Sequence, residues 1–511
     1  MTMDRSVNAS RRAFLQRAAA LSSLGAAATP LALNLAAMGQ ASAQTAGDYK
    51  AMVCIFLNGG NDAFNMVLPT DAASWQAYTT VRNQAPDPIN LRAAGTAPVA
   101  TAAIGSPDRL GGVLPLDPVN NQGRSFALHP VMTGARDLFA AGRLAVLPNI
   151  GPLVRPMSKT DYGNAAFPRP ASLFSHNDQL AAWQTLGAEG STAGWGGRMG
   201  DLLMAGNSGA TFTSISAAGS AVWLAGRSVL QYQLSASSGA VRIGGQGATA
   251  LYNSPVAMNS MRNVMRNARS NDLLARDLAA VVGRSIDAEQ LVSAALPGAN
   301  QAPYEATGSN AGLSSSLLWY DTMAGTRALN PLAQQLQVVA RMMAARDALG
   351  VRRQVFFVNL GGFDTHDAQN RSQAELLARL SHAMAYFDGV LGAMGLRESV
   401  TSFTASDFGR TFTSNGDGTD HGWGAHHFVF GGAVRGRDLY GSFPQLGLPD
   451  GRGGFNSPDQ ISNGALLPTT SVEQLGATLG RWFGLSDGQL IDLFPNLLNF
   501  DASRRNLGFM S

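Results

Sequence analysis

The sequence contains little cysteine, little charge and, after its N-terminal segment, no long apolar run. Cys54 is the one cysteine among 511 residues, so an intrachain disulfide is excluded. Charged residues make up 14% of the chain and apolar residues 45%, a balance that is typical of a folded globular protein. Because no later stretch of about 18 residues is uninterruptedly apolar, we expect no membrane span outside the N-terminal segment.

The first 43 residues are predicted to be an export signal. Arg11 and Arg12 precede an apolar run that ends at a small-residue cleavage sequence, Ala41-Ser42-Ala43. This pattern is typical of a bacterial twin-arginine signal peptide. A membrane anchor is the alternative, but a proline and polar residues interrupt the apolar run. We therefore expect a periplasmic or secreted protein.

The net charge gives no support for nucleic-acid binding once the signal is removed. The whole chain has a formal net charge of +3, and residues 1–43 alone carry +3. The mature chain is therefore close to neutral and lacks the excess positive charge that attracts phosphate backbones or anionic lipids. We expect no nucleic-acid partner and no stable membrane span after the signal is cleaved.

Five apolar segments predict the strands of a sheet. The first, MVCIFLNGG, is apolar on both faces, which is typical of a strand buried in a parallel sheet. The predicted strands lie at 52–60, 143–151, 354–362, 398–406 and 427–434. Between the third and the fourth, apolar residues recur at helical spacing, which predicts a crossover helix. The predicted fold is α/β, with a mostly parallel sheet and helices on both faces.

The middle of the chain has a different composition. Residues 205–255 are rich in glycine, alanine, serine and threonine. Helices are predicted around 257–296 and 330–349. We interpret residues 205–330 as an insertion that caps the sheet. The predicted organisation is therefore the signal followed by one α/β domain over residues 44–511.

Acidic and histidine side chains concentrate where the predicted strands end or begin. Ligands of parallel sheets bind outside the carboxyl ends of the strands, and carboxylates gathered there repel one another unless a cation compensates. Carboxylate and imidazole groups are ligands of Zn²⁺, Mg²⁺, Mn²⁺ and Ca²⁺. We therefore predict a site for a divalent metal ion. The candidate ligands are Asp62, Asp364, His366, Asp407, His421 and His426.

Several candidate ligands also have a purely structural interpretation. Asp62 follows Gly-Gly-Asn and is equally typical of a turn or of a helix N-cap. Asp364 and His366 could cap the helix that follows them. His426 and His427 alternate along a predicted strand, so no more than one of them is expected to face the site.

Two further residues are candidates for catalysis. Ser175 stands at the predicted start of a helix, in ASLFSHNDQ. There the helix dipole could lower the pKa of its hydroxyl, and backbone N–H groups could hold a phosphate. The alternative is a capping box between Ser175 and Asp178. Arg410 follows the fourth predicted strand, and its guanidinium could bind an anionic group through two hydrogen bonds.

Four motifs carry a resemblance to a known family: FLNGGNDAFNMVLP, GGFDTHDAQ, SDFGRTFTSNGDGTDHGWGAHHFVFGG and the closing FPNLLNF. They resemble a large family of exported bacterial proteins of unknown function, which carry twin-arginine signals and are grouped with the alkaline phosphatase and sulfatase superfamily. The resemblance implies the α/β sandwich of that superfamily. It also implies two divalent metals around a serine, threonine or modified cysteine nucleophile.

Carried over by motif, the resemblance implies roles for the candidate residues. Asp62 resembles the acidic ligand after the first strand, and Asp364 with His366 resembles an Asp/His ligand pair. Asp407 resembles the aspartate of an Asp-His pair, but Phe408 stands where the histidine is expected. One ligand of a second metal is therefore missing or is supplied by another residue.

His421 or His426 resembles the late histidine ligand of the superfamily. The resulting expectation is an exported metal-dependent hydrolase that acts on a phosphate or related ester, with a small anionic ester as its substrate. The alternative is a non-catalytic binding or assembly protein that keeps the fold with a degenerate site. Its partner would then be another exported protein.

Overall fold

The structure, a computed structural model, describes residues 49–241, 250–267, 272–305 and 316–511. The predicted export signal, residues 1–43, lies outside the described residues. Within them, no helix combines the length and the apolar character that crossing a membrane requires.

Strands and helices alternate along most of the described chain. The strands are β1 (Lys50–Asn58), β2 (Val67–Pro69), β3 (Leu114–Leu116), β4 (Phe126–Leu128), β5 (Leu144–Gly151), β6 (Ser214–Ser216), β7 (Gln231–Ser235), β8 (Gly239–Ala240), β9 (Leu318–Asp321), β10 (Thr326–Leu329), β11 (Arg353–Gly361), β12 (Val400–Ser406), β13 (Ala425–Gly431) and β14 (Thr470–Ser471). The helices are α1 (Ala63–Met66), α2 (Ala72–Arg82), α3 (Thr133–Ala140), α4 (Lys159–Gly163), α5 (His176–Thr185), α6 (Trp195–Leu203), α7 (Pro255–Arg266), α8 (Leu273–Ala295), α9 (Pro331–Ala344), α10 (Gln369–Ala393), α11 (Val472–Phe483) and α12 (Asp487–Leu493).

Nine of the described strands form a central sheet in the order β14-β5-β13-β12-β1-β11-β6-β7-β8. Seven of them run in the same direction, while β8 and β13 run against the others. The five predicted strands correspond to β1, β5, β11, β12 and β13. The prediction of an α/β fold with a large, mostly parallel sheet is therefore confirmed.

The centre of the sheet is buried on both faces because its strands are apolar throughout. In β1, Val53 and Ile55 belong to one hydrophobic cluster, while Cys54 and Phe56 belong to the opposite one. Helices α9 and α10 contribute side chains to the first cluster, and α6 and α11 contribute to the second. Each fully buried large apolar side chain stabilises the fold by roughly 1.5–3 kcal/mol. Helices therefore cover both faces, as predicted.

Part of the region predicted as an insertion belongs to the sheet itself. Strand β6 pairs in parallel with β11, and β7 and β8 extend the same edge. Strands β6 and β7 have only three and five residues, too few for a clear alternation of apolar and polar positions. The helices predicted around 257–296 correspond to α7 and α8.

Strand β13 runs opposite to its neighbours β12 and β5, and this direction decides where its flanking histidines lie. The start of an antiparallel strand lies at the same edge as the carboxyl ends of its neighbours. The loop that leads from β12 into β13 therefore meets the loops that leave β1 and β11. All the strand-end candidates are brought to one edge of the sheet.

Candidate metal centre

The loops at this edge meet because glycines let their backbones approach closely. Gly59 and Gly60, directly after β1, have φ angles of 115° and 83°, which only glycine adopts without strain. A Cβ on Gly59 would lie 2.4 Å from the backbone nitrogen of Asp364, and one on Gly60 would lie 2.3 Å from the ring of Phe408. The loop after β1 thus packs directly on the loops after β11 and β12.

Three imidazole rings and one carboxylate converge between these loops. The Nε2 atoms of His176, His366 and His421 lie 3.5, 3.0 and 3.4 Å from Asp364 Oδ1. The Nε2 atoms of His366 and His421 are 3.0 Å apart. Ligand atoms of His176, Asp364 and His421 all lie within 4.8 Å of one another, close enough to hold a metal ion. We name these four residues the His-Asp cluster.

Two rings of the His-Asp cluster are oriented by strong acceptors behind them. His176 Nδ1 lies 2.7 Å from Asp407 Oδ2, and His421 Nδ1 lies 2.7 Å from the carbonyl oxygen of Phe174. These oxygens assign the proton to Nδ1 in each ring, so the Nε2 lone pairs are directed into the cluster. An oxygen acceptor behind the ring is the usual support of a metal-binding histidine.

The third ring has the same arrangement with a longer contact. His366 Nδ1 lies 3.3 Å from Asp420 Oδ1, and that oxygen also accepts a hydrogen bond of 2.9 Å from Asn415 Nδ2. Asp420 is therefore held in place by its own loop. All three rings present Nε2 to Asp364 and engage an oxygen through Nδ1.

The spacing of His176, Asp364 and His421 admits a small divalent ion. In a tetrahedral zinc site with bonds of about 2.0–2.1 Å, neighbouring ligand atoms lie roughly 3.3–3.4 Å apart. The separations of the three nitrogens from Asp364 Oδ1 run from 3.0 to 3.5 Å. Three imidazole nitrogens and one carboxylate oxygen suit zinc or a similar transition metal, whereas Ca²⁺ and Mg²⁺ prefer oxygen ligands.

Local charges favour an ionised carboxylate at Asp364. Burial acts to raise the pKa of Asp364, but the Arg410 guanidinium and the neighbouring imidazoles outweigh it and lower that pKa below its usual value. Burial lowers the pKa of His421. Burial raises the pKa of Asp407, although its hydrogen bond with His176 opposes this effect. The ionised form of Asp364 is the form that binds a metal ion.

The part of the chain that builds this cluster matches a known protein family. A family model described as "Protein of unknown function (DUF1501)" matches residues 49–493. The chain belongs to the DUF1501 family. The matched range includes all four residues of the His-Asp cluster. No curated protein and no solved structure was found to match this DUF1501 chain.

In this DUF1501 chain, Arg410 positions the cluster from a fully buried site. Its Nη1 donates to Asp364 Oδ1 at 2.7 Å and to the carbonyl oxygen of Gly59 at 3.0 Å. Its Nε donates to Thr419 Oγ1 at 3.3 Å, and Nη2 donates to the Thr419 carbonyl oxygen. The sequence predicts that Arg410 binds an anionic substrate. In the structure, each of its three guanidinium nitrogens instead donates a hydrogen bond to an oxygen of the protein.

Asp62 lies apart from the cluster in a buried ion pair. Its Oδ2 and Oδ1 accept hydrogen bonds from Arg82 Nη1 and Nη2 at 2.5 and 3.0 Å, and both side chains are fully buried. Asp62 Oδ1 also accepts the N–H of Phe64 as the N-cap of α1, and Oδ2 accepts from Gln369 Nε2 at 2.6 Å. The structure therefore gives Asp62 the capping role that its sequence context also allows, and does not place it among the metal ligands.

His426 is buried in β13, away from the cluster. Its Nδ1 accepts the backbone N–H of Asn149 at 3.1 Å, and its ring centroid lies 4.5 Å from that of Phe443. His427 is also fully buried. Of the two candidates for the late histidine ligand, the structure brings His421 into the cluster and leaves His426 in the hydrophobic core.

Replacing His426 with glutamine is expected to remove part of the acid sensitivity of the fold. Burial lowers the pKa of His426 to about 3 in the folded chain, against 6.5 for a free histidine. Below pH 6.5 the unfolded chain therefore binds a proton that the folded chain does not, so stability is lost as the pH falls. Between pH 6.5 and 5 the wild type should lose about 1.5–2 kcal/mol more unfolding free energy than His426→Gln. Urea unfolding at both pH values measures the difference, and parallel losses would contradict it.

Ser175 immediately precedes α5, where a helix start was predicted, but it forms no capping box. Its Oγ donates to Asp178 Oδ2 at 2.8 Å, and its side chain makes no hydrogen bond to the helix backbone. The next residue, His176, enters the cluster instead. The sequence places His176 at a helix start but does not identify it as a ligand. The sequence feature that could have identified His176 is its position at a helix start. A helix that begins at the edge of the sheet where the acidic strand ends lie brings its first residues to the site.

His176 contacts both Asp407 and the residue that follows it, Phe408. The resemblance implies a histidine directly after Asp407, where this chain has Phe408. In the structure, the histidine that binds Asp407 comes from α5, and the ring of Phe408 packs against His176 and His421 with centroid distances of 4.7 Å in both cases. Phe408 therefore forms an apolar support for two of the three imidazole rings.

Proposed function

We propose that the protein is an exported, metal-dependent hydrolase of a phosphate or related ester. The observation that carries this proposal is the convergence of three histidine Nε2 atoms on Asp364 Oδ1, with each ring oriented by an oxygen acceptor. We also propose that the chain is a member of the alkaline phosphatase and sulfatase superfamily. Its motifs and its mixed α/β sheet support this assignment, and the paired arginines near its N-terminus support export through the twin-arginine route.

We propose that one divalent ion is held at the His-Asp cluster, with zinc as the best fit. The proposed ligands are His176, Asp364 and His421, with His366 beside them, so that a fourth position is left for water or substrate. When bound, such an ion would polarise an ester oxygen and activate water. The protein's own contributions are positional: Asp407 orients the first ring, Arg410 keeps the carboxylate ionised, and Phe408 shields the base of the cluster from water.

The exposure of the ligands supports a catalytic rather than a structural ion. The side chains of Asp364 and His366 are 46% and 42% exposed, and that of His176 is 32% exposed. Structural zinc sites are closed by four protein ligands, whereas catalytic sites keep a position that faces solvent. A substrate could therefore reach the cluster from the edge of the sheet.

A cavity of about 570 Å³ lies at the start of α10, the helix that follows the loop of Asp364 and His366. Its lining includes Ala368, two residues beyond His366, and the exposed Arg371. Ala368 is the N-cap of the 25-residue helix α10 and provides no side-chain cap, so the positive end of a long helix lies at the cavity. Three carboxylates also line it, and two of them are already bound by Arg92 and by the Ala368 N–H, so the end of the helix is occupied by a carboxylate of the protein itself.

We propose water rather than Ser175 as the nucleophile. The Ser175 hydroxyl is engaged as a donor to Asp178 Oδ2 at 2.8 Å rather than by a base of the His-Asp cluster. Replacing Ser175 with alanine should therefore leave metal content unchanged and reduce ester hydrolysis by less than about threefold. A loss of hydrolysis of 100-fold or more, with metal retained, would assign the nucleophile to Ser175.

Metal content and ester hydrolysis measured on one preparation test the proposed function. The exported full chain is purified from metal-replete cells, and its metal is measured by elemental analysis. Hydrolysis of p-nitrophenyl phosphate, bis-p-nitrophenyl phosphate and p-nitrophenyl sulfate is then followed with and without a chelator. We expect about one ion per chain and chelator-sensitive hydrolysis of at least one ester. Absence of stoichiometric metal would sink the proposal, and metal without hydrolysis would favour the non-catalytic binding protein.

Replacing Asp407 with asparagine is expected to weaken metal binding by about 10–100-fold, because the carboxylate behind His176 is lost while the ligands remain. Competition with a chromophoric chelator measures the affinity. Asp367→Asn is the matched control, since Asp367 is an exposed aspartate in the same loop as Asp364. Its affinity should stay within about threefold of wild type. Equal affinities for Asp407→Asn and the wild type would contradict the assigned role.

A further inference from the structure

A second, smaller cavity lies beside helix α5 and has no assigned role. Its volume is about 210 Å³. Its walls come from residues 152–154 after β5, from α5 and from the first turn of α11. None of the described residues that line it belongs to the His-Asp cluster. It is therefore separate from the proposed hydrolase site, although both use the start of α5.

The cavity contains a buried carboxyl group of which only one oxygen has a hydrogen-bond partner. Glu473 is 3% exposed. Its Oε1 accepts a hydrogen bond of 2.7 Å from Asn496 Nδ2, while Oε2 is buried and makes no hydrogen bond. Burial raises the pKa of Glu473 to about 7, although Asn496 and the backbone N–H of Leu497 act to lower it. A buried carboxylate oxygen without a partner is costly, so it calls for a donor.

The other residues that line the cavity indicate that this hydrogen-bond donor is a cation. Asp178 supplies a second carboxylate to the same cavity, and its Oδ2 is engaged by the Ser175 hydroxyl at 2.8 Å. No lysine, arginine or histidine occurs among the described residues that line the cavity. The remaining walls are largely apolar, with Leu153, Leu186 and Val472 among them. Two carboxyl groups without a basic lining residue favour a positively charged ligand with an apolar body.

We propose that this cavity binds a small organic cation, an aliphatic amine whose ammonium group pairs with Glu473 and Asp178 while its carbon chain contacts the apolar walls. A cavity of about 210 Å³ admits a short alkylammonium ion, and its two carboxyl groups disfavour an anion such as a nucleotide or a sugar phosphate. The ammonium group supplies the donor that Glu473 Oε2 lacks, and its charge favours the ionised carboxylate.

Calorimetric titration of the full chain with n-butylammonium at pH 7 tests this proposal. We expect one saturable site with a Kd of about 1 mM or tighter, a range reached by small ligands that are well buried. Butan-1-ol, which has nearly the same shape without the charge, should bind at least 10-fold more weakly, and butyrate should not bind. Failure of n-butylammonium to saturate a site by about 20 mM, or equal binding of butan-1-ol, would overturn the proposal.

A nearly isosteric substitution identifies the carboxyl group responsible. Glu473→Gln keeps an acceptor for Asn496 and should therefore fold, but it should weaken n-butylammonium binding at least 10-fold. Asp277→Asn is the control, since it removes an exposed carboxylate from the distant helix α8 and should leave the Kd unchanged. Unchanged binding in Glu473→Gln would overturn the assignment. None of these results depends on the metal or on ester hydrolysis.

Discussion

Replacing His176 with alanine is expected to reduce bound metal from about one ion per chain to less than one tenth, and to reduce ester hydrolysis by at least about 100-fold. The substitution removes one of three Nε2 donors around Asp364. It also takes away the imidazole that lies 2.7 Å from the carboxylate of Asp407. Loss of a ligand is expected to cost more than the 10–100-fold typical of a residue that only orients one. Elemental analysis and kcat/KM on the same preparation measure both losses.

A histidine outside the cluster provides the control for this result. His382 lies on α10, where its Nδ1 is 3.1 Å from Asn330 Nδ2. His382→Gln removes an imidazole from the chain without touching the cluster, so metal content and kcat/KM should stay within about twofold of wild type. Far-ultraviolet circular dichroism should show the same helix content in both variants. Wild-type metal content in His176→Ala would refute the ligand assignment.

The sequence predicts which edge of the sheet carries the site, but it does not predict which residues form the site. Strand-end position identified Asp364, His366 and His421 because each lies within a few residues of a strand whose apolar run is plain. The same reasoning included Asp62, since a turn aspartate and a metal-binding aspartate have the same local sequence. Its partner, Arg82, lies on the next helix, and only the three-dimensional packing brings the two together.

His176 is a site residue that the sequence did not identify. It lies 231 residues from Asp407 in the sequence, and the contact depends on where α5 docks against the sheet. No local pattern encodes that docking. Arg410 shows the same limit, because burial decides whether a guanidinium binds a substrate or the protein itself. Strand direction was a further gap: β13 is as fully buried as its neighbours β5 and β12, so its pattern does not reveal that it runs against them.

Replacing Arg82 with methionine is expected to destabilise the fold by about 3–5 kcal/mol, because it leaves the Asp62 carboxylate buried without its counter-ion. The pair is bidentate, with contacts of 2.5 and 3.0 Å, and both side chains are fully inaccessible. The exposed pair of Arg136 with Asp137 offers a control, since Arg136→Met should cost less than about 1 kcal/mol. Urea unfolding at pH 7 measures both variants, and equal losses would contradict the buried-charge argument.

The double variant with Asp62→Leu and Arg82→Met separates the charge from the positioning role of this pair. Removing both charges should recover a large part of the stability lost in Arg82→Met, since no uncompensated charge remains. Arg82 also donates to the carbonyl oxygens of Thr411 and Phe412 at 3.0 and 3.1 Å, in the loop that carries His421. Those hydrogen bonds stay lost in the double variant. We therefore expect stability to recover while metal affinity remains below wild type, and recovery of both together would show that the pair acts on the fold alone.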